Sequence, residues 1–252
     1  MKLATLLHGN IGDLYTYEQK QSQIRTDSKY DVNFGSRQVF LKGLESYKKY
    51  SNVDYFIHSW STHLKQEIET EYKPIRSLIE QQVDFTKDYT EGRDPGTKTR
   101  FHVTKSRFYS LNQSIKLFLK YIEESHTIYD FVLLSRFDLI FHKLIDFNQL
   151  SSDSINISKW IIDGKQFLWN TKVHDYWFIV PQSSLADLSS LIDTNIDLYL
   201  EQSMTYYGPS AHHVLKLLFR DLHIPVNYTL EYHQDKFDKN DFNLVRDIYV
   251  EP

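Results

Sequence analysis

The sequence predicts an α/β domain with a mostly parallel central sheet. Short apolar runs of strand length alternate along the chain with longer segments whose apolar residues recur at helical spacing. The clearest predicted strands are Lys2 to Leu7, Val53 to Trp60 and the one that contains the apolar run Phe131 to Leu134, and the clearest helical stretch is Ser106 to His126. Strands that alternate with helices in this order pair as parallel neighbours through right-handed crossovers. At 252 residues the chain is long enough to bury such a core, and we expect one domain.

Composition excludes several classes of protein. The chain has no cysteine, which excludes disulfides, thiolate metal sites and a cysteine nucleophile. Its formal net charge of −4 supplies no basic field, which argues against a nucleic-acid binder. No apolar run approaches the ~20 residues of a membrane span, so we expect no integral membrane segment. Aromatic residues make up 15% of the chain and offer flat surfaces that stack on sugars or bases, although most belong to the core.

The most informative stretch runs from Tyr129 to Phe141. Its apolar run, Phe131 to Leu134, is typical of a strand that is covered on both faces. Arg136 and Asp138 follow directly, where the strand ends. In open α/β sheets, ligands bind at the carboxyl ends of strands, so this pair is a candidate ligand site. The alternative is a structural ion pair that closes the strand.

Polar residues also follow the first two predicted strands. The first strand is followed by His8-Gly9-Asn10, where a glycine allows the backbone to approach a ligand closely. The second ends at His58, at the same predicted edge of the sheet. A tight turn and a structural histidine explain the same residues.

The segment between the second strand and the long helix is less regular. Residues 62–78 are compatible with a helix that breaks at Tyr72-Lys73, with Pro74 opening a second short helix. Gln82 to Phe85 would supply a third strand. Thr86 to Lys105 lacks periodicity, and we expect a loop or a functional lid there.

Downstream, Asp163-Gly164 indicates a hairpin turn. Asp175 precedes another apolar run, Trp177 to Val180, and is a candidate second active-site carboxylate, with a strand or turn cap as the alternative. Leu185 to Leu200 reads as a helix, and Pro209 suits the first turn of a further one. Adjacent His212 and His213 on that helix point about 100 degrees apart, so they cannot chelate one metal together.

Five motifs form a recognisable set: His8-Gly9-Asn10, Asp54 to Trp60, Tyr129 to Phe141, His174 to Phe178, and Leu244-Val245-Arg246. Together they resemble a group of small glycosyltransferases of bacterial polysaccharide and lipopolysaccharide clusters and of large DNA viruses. The resemblance spans most of the chain. It implies a layered, Rossmann-like GT-A fold, in which residues 1–141 bind a nucleotide-sugar donor and residues 142–252 form the smaller acceptor half and tail.

The resemblance also implies roles for particular residues. The donor side would comprise His8, Gly9, Asn10, Arg37 and His58. The family's Asp-x-Asp motif, which holds a divalent metal on the donor diphosphate, maps onto Arg136-Phe137-Asp138, so an arginine replaces one carboxylate.

Two routes to charge neutralisation therefore stay open. Asp138 anchors Mg²⁺ or Mn²⁺ with help from His212 or His213, or Arg136 itself takes part of the diphosphate charge. In an inverting reaction Asp175 would deprotonate the acceptor hydroxyl, and a retaining reaction would not need this base.

The resulting hypothesis is a metal-assisted hexosyl- or pentosyltransferase that moves a sugar from a UDP- or GDP-sugar to a glycan acceptor. It would act in the cytoplasm of a bacterium or of a virus-infected host, at most peripheral to a membrane. One alternative is a sugar-binding module that keeps the fold without turnover. Another is a different metal-dependent nucleotide enzyme, such as a nucleotidyltransferase or a phosphohydrolase.

Overall fold

The computed structural model describes residues 2–9, 43–50, 52–89, 95–168, 173–206, 208–233 and 240–244. Two of the predicted donor residues, Asn10 and Arg37, lie outside these ranges. Among the described residues, no helix combines the length and the apolar character needed to cross a membrane.

Ten strands and four long helices make up the described fold. The strands are β1 Leu3–Gly9, β2 Val53–Ser59, β3 Arg76–Ile79, β4 Phe131–Arg136, β5 Leu139–Phe141, β6 Ile155–Ile162, β7 Lys165–Phe167, β8 Trp177–Val180, β9 Val226–His233 and β10 Phe242–Leu244. The helices are α1 Lys65–Tyr72, α2 Pro95–Ser125, α3 Leu185–Tyr206 and α4 Ala211–Leu222. Residues 43–47 are also helical.

One mixed sheet carries most of these strands, in the order β3-β2-β1-β4-β8-β6-β7, with β9 paired to β6. The pairs β3–β2, β2–β1, β1–β4 and β6–β9 are parallel. The pairs β4–β8, β8–β6 and β6–β7 are antiparallel. This α/β architecture with a mixed, mostly parallel central sheet confirms the predicted fold class.

A hydrophobic core covers each face of the sheet. Alternate strand residues point to opposite faces, so Ala4, Leu6 and Leu134 join one core while Leu3 and Leu7 join the other. Helix α2 packs on the first face. Its buried residues recur at three- and four-residue steps, which explains why a single helix spans this side of the sheet. They are Phe101, Phe108, Leu111, Ile115 and Phe118.

Several predicted boundaries were wrong. The loop was predicted to run to Lys105, but helix α2 begins at Pro95, so the last eleven residues of the predicted loop are helical. Proline suits a first helical turn because its missing N–H is not needed there. Pro74 opens no helix: Lys73 ends α1 in the left-handed conformation, and the third strand follows at Arg76–Ile79, before the predicted Gln82 to Phe85.

Two later features were closer to the structure. Asp163 and Gly164 form the predicted hairpin turn between β6 and β7, both with positive φ. Helix α4 begins at Ala211, so Pro209 lies just before it and not in its first turn.

Candidate functional site

Three polar side chains form a row across the carboxyl ends of parallel strands. His8 on β1 pairs in register with His58 on β2 and with Arg136 on β4. Residues in register share a face of the sheet, and these three lie on the face that α2 covers. The sheet register therefore places His8, His58 and Arg136 together at one edge of the sheet, which is the arrangement predicted from the sequence.

Helix α2 supplies two further groups, Arg107 and Ser110. Both stand on the stripe that carries Leu111, Ser114 and Phe118 toward the sheet, so the helix directs them at the row. The Ser110 hydroxyl is fully buried and accepts a hydrogen bond from the Gly9 N–H at 2.8 Å.

Arg107 forms a buried ion pair with Asp175. Its Nη1 donates to Asp175 Oδ2 and its Nη2 donates to the Asp175 backbone carbonyl. The arginine side chain is 19% exposed and the carboxylate 5%. His212 Nδ1 lies 3.1 Å from the other carboxylate oxygen and 2.9 Å from the Val173 carbonyl. Asp175 reaches this edge because β8, which it precedes, runs antiparallel to β4.

A second ion pair joins Arg136 to Asp138. Arg136 Nε donates to Asp138 Oδ1 at 2.7 Å, and Nη2 donates to Oδ2. The two side chains are 19% and 17% exposed, so the pair is half-buried and still reaches solvent. The guanidinium carbon lies 5.5 Å from the centre of the Tyr176 ring, at cation–π distance.

The charges of the two pairs act on one another. Burial would raise the pKa of Asp175, but Arg107, His212 and Arg136 outweigh it and hold the pKa below its usual value. Burial lowers the pKa of Arg107 to about 10, which leaves it cationic at neutral pH. The two arginines and two aspartates therefore form one cluster of fixed, balanced charge.

His8 stands beside this cluster as a neutral imidazole. It is 3% exposed, and its Nδ1 is buried without a hydrogen-bond partner in the described parts of the chain. Burial lowers its pKa well below the usual value, and the charges of Arg107 and Arg136 lower it further. His8 is therefore uncharged at pH 7, with one ring nitrogen left to bind another group.

Two of the predicted metal ligands, Asp138 and His212, each lie against a charged side chain of the protein. His212 lies against Asp175, and His213 follows it on α4. Both oxygens of Asp138 accept hydrogen bonds from Arg136. Within the described ranges, no group of three or more His, Asp or Glu side chains could hold a metal ion. The described residues thus do not fit a protein-built metal shell, and dependence on Mg²⁺ or Mn²⁺ stays a prediction.

Two surface cavities lie at the other edge of the sheet. Lys2, Asn52, Asp54 and Asp130 line one of about 430 Å³, next to the amino ends of β1, β2 and β4. The other, of about 400 Å³, lies around Ile128, between the end of α2 and the start of β4. Lys2 already pairs with Asp54 and its backbone N–H donates to Asp130, so those charges are used within the chain.

Arg107 and Ser110 were not predicted from the sequence. A helical arginine is normally solvated, and the predicted helix began only one residue before Arg107. The available signal was spacing: Arg107, Ser110 and Ser114 precede Phe118 by eleven, eight and four residues, which places a charge and two hydroxyls on the buried stripe.

No protein-family model and no curated protein sequence matches this chain. Among solved structures, the fold is similar to a nucleoside-diphosphate-sugar pyrophosphorylase from Vibrio cholerae RC9, with 10% identity and a TM-score of 0.47 over 97% of this chain and 95% of that one. It is similar to a CTP:phosphocholine cytidylyltransferase from Streptococcus pneumoniae, with 12% identity and a TM-score of 0.46 over 98% and 94% of the two chains. The glycosyltransferase GlyE of Streptococcus pneumoniae TIGR4 shows 9% identity and a TM-score of 0.43 over 93% of this chain and 45% of its own.

Proposed function

We propose that this chain is a glycosyltransferase that binds a nucleotide-activated sugar and transfers the sugar to a glycan acceptor. The observation that carries the proposal is the pair of guanidinium groups, Arg107 and Arg136, each held by its own aspartate at the carboxyl edge of the parallel strands. That edge is where ligands bind in open α/β sheets.

The two arginines keep capacity for a diphosphate. A guanidinium carries five N–H donors in a planar fork. Contacts to described residues use two donors of Arg107 and two of Arg136, so three remain on each for phosphate oxygens. Hydrogen bonds between guanidinium and phosphate are charge-assisted and contribute roughly 1.5 to 3 kcal/mol each.

This arrangement suits the departure of a nucleoside diphosphate. When the bond between the anomeric carbon and the donor phosphate oxygen breaks, negative charge grows on the leaving diphosphate. Donors that are already fixed in place stabilise that charge without reorganising. Asp138 holds Arg136 and Asp175 holds Arg107, so both guanidinium groups are fixed in place before the ligand binds.

Asp175 is better suited to positioning than to base catalysis. Its pKa lies below the usual value because Arg107, His212 and Arg136 stabilise the ionised form despite burial, and a carboxylate so stabilised is a weak proton acceptor. We therefore assign Asp175 the role of holding Arg107 and give it no role as base.

Product analysis tests the proposal. The purified chain is incubated with a panel of UDP-, GDP- and CMP-sugars, each with and without Mn²⁺, and the free nucleotide is measured. Slow release of free nucleotide from one donor, lost in an Arg136→Met variant but kept in Arg220→Met, supports the glycosyltransferase. Arg220 is the matched control because it forms the same two-point pair with Asp221 on the exposed side of α4.

Other outcomes would overturn the proposal. Binding of a donor without any release would indicate a sugar-binding module. Release of a sugar phosphate, or formation of pyrophosphate from a nucleoside triphosphate and a sugar phosphate, would indicate a phosphohydrolase or a nucleotidyltransferase.

A further inference from the structure

A chain of hydrogen bonds runs from the surface to the end of β1. Glu80 Oε1 lies 3.2 Å from His58 Nε2, and His58 Nδ1 lies 2.7 Å from Ser110 Oγ. The same Ser110 oxygen accepts the Gly9 N–H at 2.8 Å. The Glu80 side chain is 33% exposed, whereas His58 and Ser110 are fully buried.

The direction of each proton follows from the donors available. The Glu80 carboxylate only accepts, so His58 Nε2 donates to it, and Nδ1 of the neutral ring is then an acceptor. We therefore assign the one proton of the Ser110 hydroxyl to His58 Nδ1. His58 is then neutral and carries its proton on Nε2, which donates to the Glu80 carboxylate. Burial lowers the pKa of His58, which favours this neutral form. One proton arrangement therefore satisfies all four groups.

The chain of hydrogen bonds ends at Gly9, whose backbone conformation is unusual. Gly9 is the last residue of β1 and has φ +106, a conformation that side-chain-bearing residues rarely adopt. Its N–H is bonded to Ser110, and its carbonyl accepts the Trp60 N–H at 3.4 Å. The Ser110 bond thus holds the Gly9 N–H in place, directly after His8 in the polar row.

We propose that Ser110 is a positioning residue for the nucleotide site, which orients the Gly9 peptide toward the donor diphosphate and is itself held by His58 and Glu80. This inference rests on the proposed function, because the ligand that Gly9 would approach is the nucleotide donor. Ser110 touches no reacting atom; it acts through Gly9.

Ser114 offers a matched control one turn further along α2. It is also fully buried, but its hydroxyl donates to the Leu111 carbonyl of its own helix at 2.7 Å. Ser110→Ala and Ser114→Ala therefore remove the same group from the same helix, and only the first removes the partner of Gly9.

The test combines amide hydrogen exchange with ligand titration. Exchange of the Gly9 amide is followed by NMR in ¹⁵N-labelled protein, and dissociation constants for UDP and GDP are measured by calorimetry. We expect Ser110→Ala to speed Gly9 exchange about tenfold and to raise the Kd of the preferred nucleotide about five- to tenfold. Ser114→Ala leaves both quantities at the wild-type value.

Variants of Glu80 separate positioning from a general loss of stability. Glu80→Gln keeps an oxygen that accepts from His58 Nε2, so we expect wild-type exchange and affinity. Glu80→Leu removes that acceptor, and we expect both quantities to shift in the direction of Ser110→Ala. Glu80 is partly exposed, so these variants fold even if Ser110→Ala does not.

The failures are distinguishable. If the Gly9 amide exchanges at the same rate in Ser110→Ala and Ser114→Ala, or at the same rate in the two Glu80 variants, the chain of hydrogen bonds does not control Gly9. This outcome overturns that part of the proposal whatever ligand the protein binds. Faster exchange with unchanged nucleotide affinity overturns the positioning role. A wild-type protein that binds no nucleotide overturns the proposed function, and with it the role of Ser110 toward a ligand.

Discussion

The ion pair between Arg107 and Asp175 can be replaced as a unit, which separates its structural role from its role in binding. We consider three variants: Asp175→Leu, Arg107→Met and the double variant that carries both. Each single change leaves one charge without its partner in a site where the two side chains are 19% and 5% exposed. The double change removes both charges, with Met close to Arg in volume and Leu larger than Asp.

The expected free energies of unfolding differ sharply between these variants. Breaking a buried ion pair by removing one partner costs roughly 3 to 5 kcal/mol. Replacing both partners by apolar residues is often close to neutral. Here Arg107 also donates to the Asp175 backbone carbonyl, and that carbonyl loses its partner, at a cost of about 1 to 3 kcal/mol. The double variant should thus be about as stable as either single variant or more stable, with a large favourable coupling between the two sites.

Urea unfolding at several pH values measures these energies. Because the folded-state pKa of Asp175 is below its usual value, its ionisation contributes stability that is fully present above the unfolded pKa of about 3.9. That contribution is lost as the pH falls through the folded pKa. The cost of Asp175→Leu should therefore shrink below about pH 4. Lys116→Met is the control, since Lys116 on α2 pairs with Asp193 on α3 at 44% and 48% exposure and should cost at most about 1 kcal/mol.

Nucleotide binding then decides what the pair is for. If Arg107 contacts the diphosphate, the double variant regains stability but binds UDP or GDP no better than Arg107→Met does. A double variant with wild-type affinity would refute this reasoning, because it would show that the pair only holds the scaffold together. If the losses of unfolding free energy in the two single variants simply add up in the double variant, the energetic coupling between Arg107 and Asp175 would be refuted.

Three further outcomes are expected. Arg136→Lys keeps the charge but loses the planar fork, so the Kd for the nucleotide should rise about tenfold or more by calorimetry, while Arg220→Lys leaves it unchanged. Gly43→Ala should lower the unfolding free energy by roughly 1 to 3 kcal/mol in urea, because its Cβ would lie 2.2 Å from the Phe137 carbonyl oxygen beside Asp138; an unchanged value would mean that this backbone yields freely. Gly164→Ala meets no atom within 4 Å but must hold φ +73, so a smaller loss of about 1 kcal/mol is expected, and a loss as large as that of Gly43→Ala would contradict this view.

The sequence predicted the parts of the fold that depend on strong local patterns. The strand Phe131–Arg136 begins with the unbroken apolar run Phe131 to Leu134, and Asp163-Gly164 can adopt the positive φ of a tight hairpin. The third strand was misplaced because Arg76–Ile79 is only half-buried throughout and shows no apolar alternation. Local pattern is weakest where burial is partial.

The site depended on information that a local pattern lacks. An apolar run does not encode direction, so nothing in Trp177 to Val180 indicates that β8 is antiparallel to β4, and only that direction brings Asp175 to the edge where Arg136 ends. Arg107 reaches the same edge through the packing of a 31-residue helix and meets Asp175, 68 positions further along the chain. Pairings over such sequence distances follow from topology.

The charged cluster is difficult to explain as a device for stability alone. Taking two arginines and two aspartates out of water incurs a desolvation cost of several kcal/mol per ion, and apolar residues of similar volume often stabilise a protein as well or better. The cluster lies at the mouth of three parallel strands, where side chains need not be charged to complete the core. Under the proposed function a bound diphosphate changes this balance, because its oxygens take up the guanidinium donors that Asp138 and Asp175 leave over. The desolvation cost of the two ion pairs is then incurred before the ligand binds, because the guanidinium groups are already fixed in place. The two ion pairs therefore increase the affinity for the ligand and not the free energy of folding.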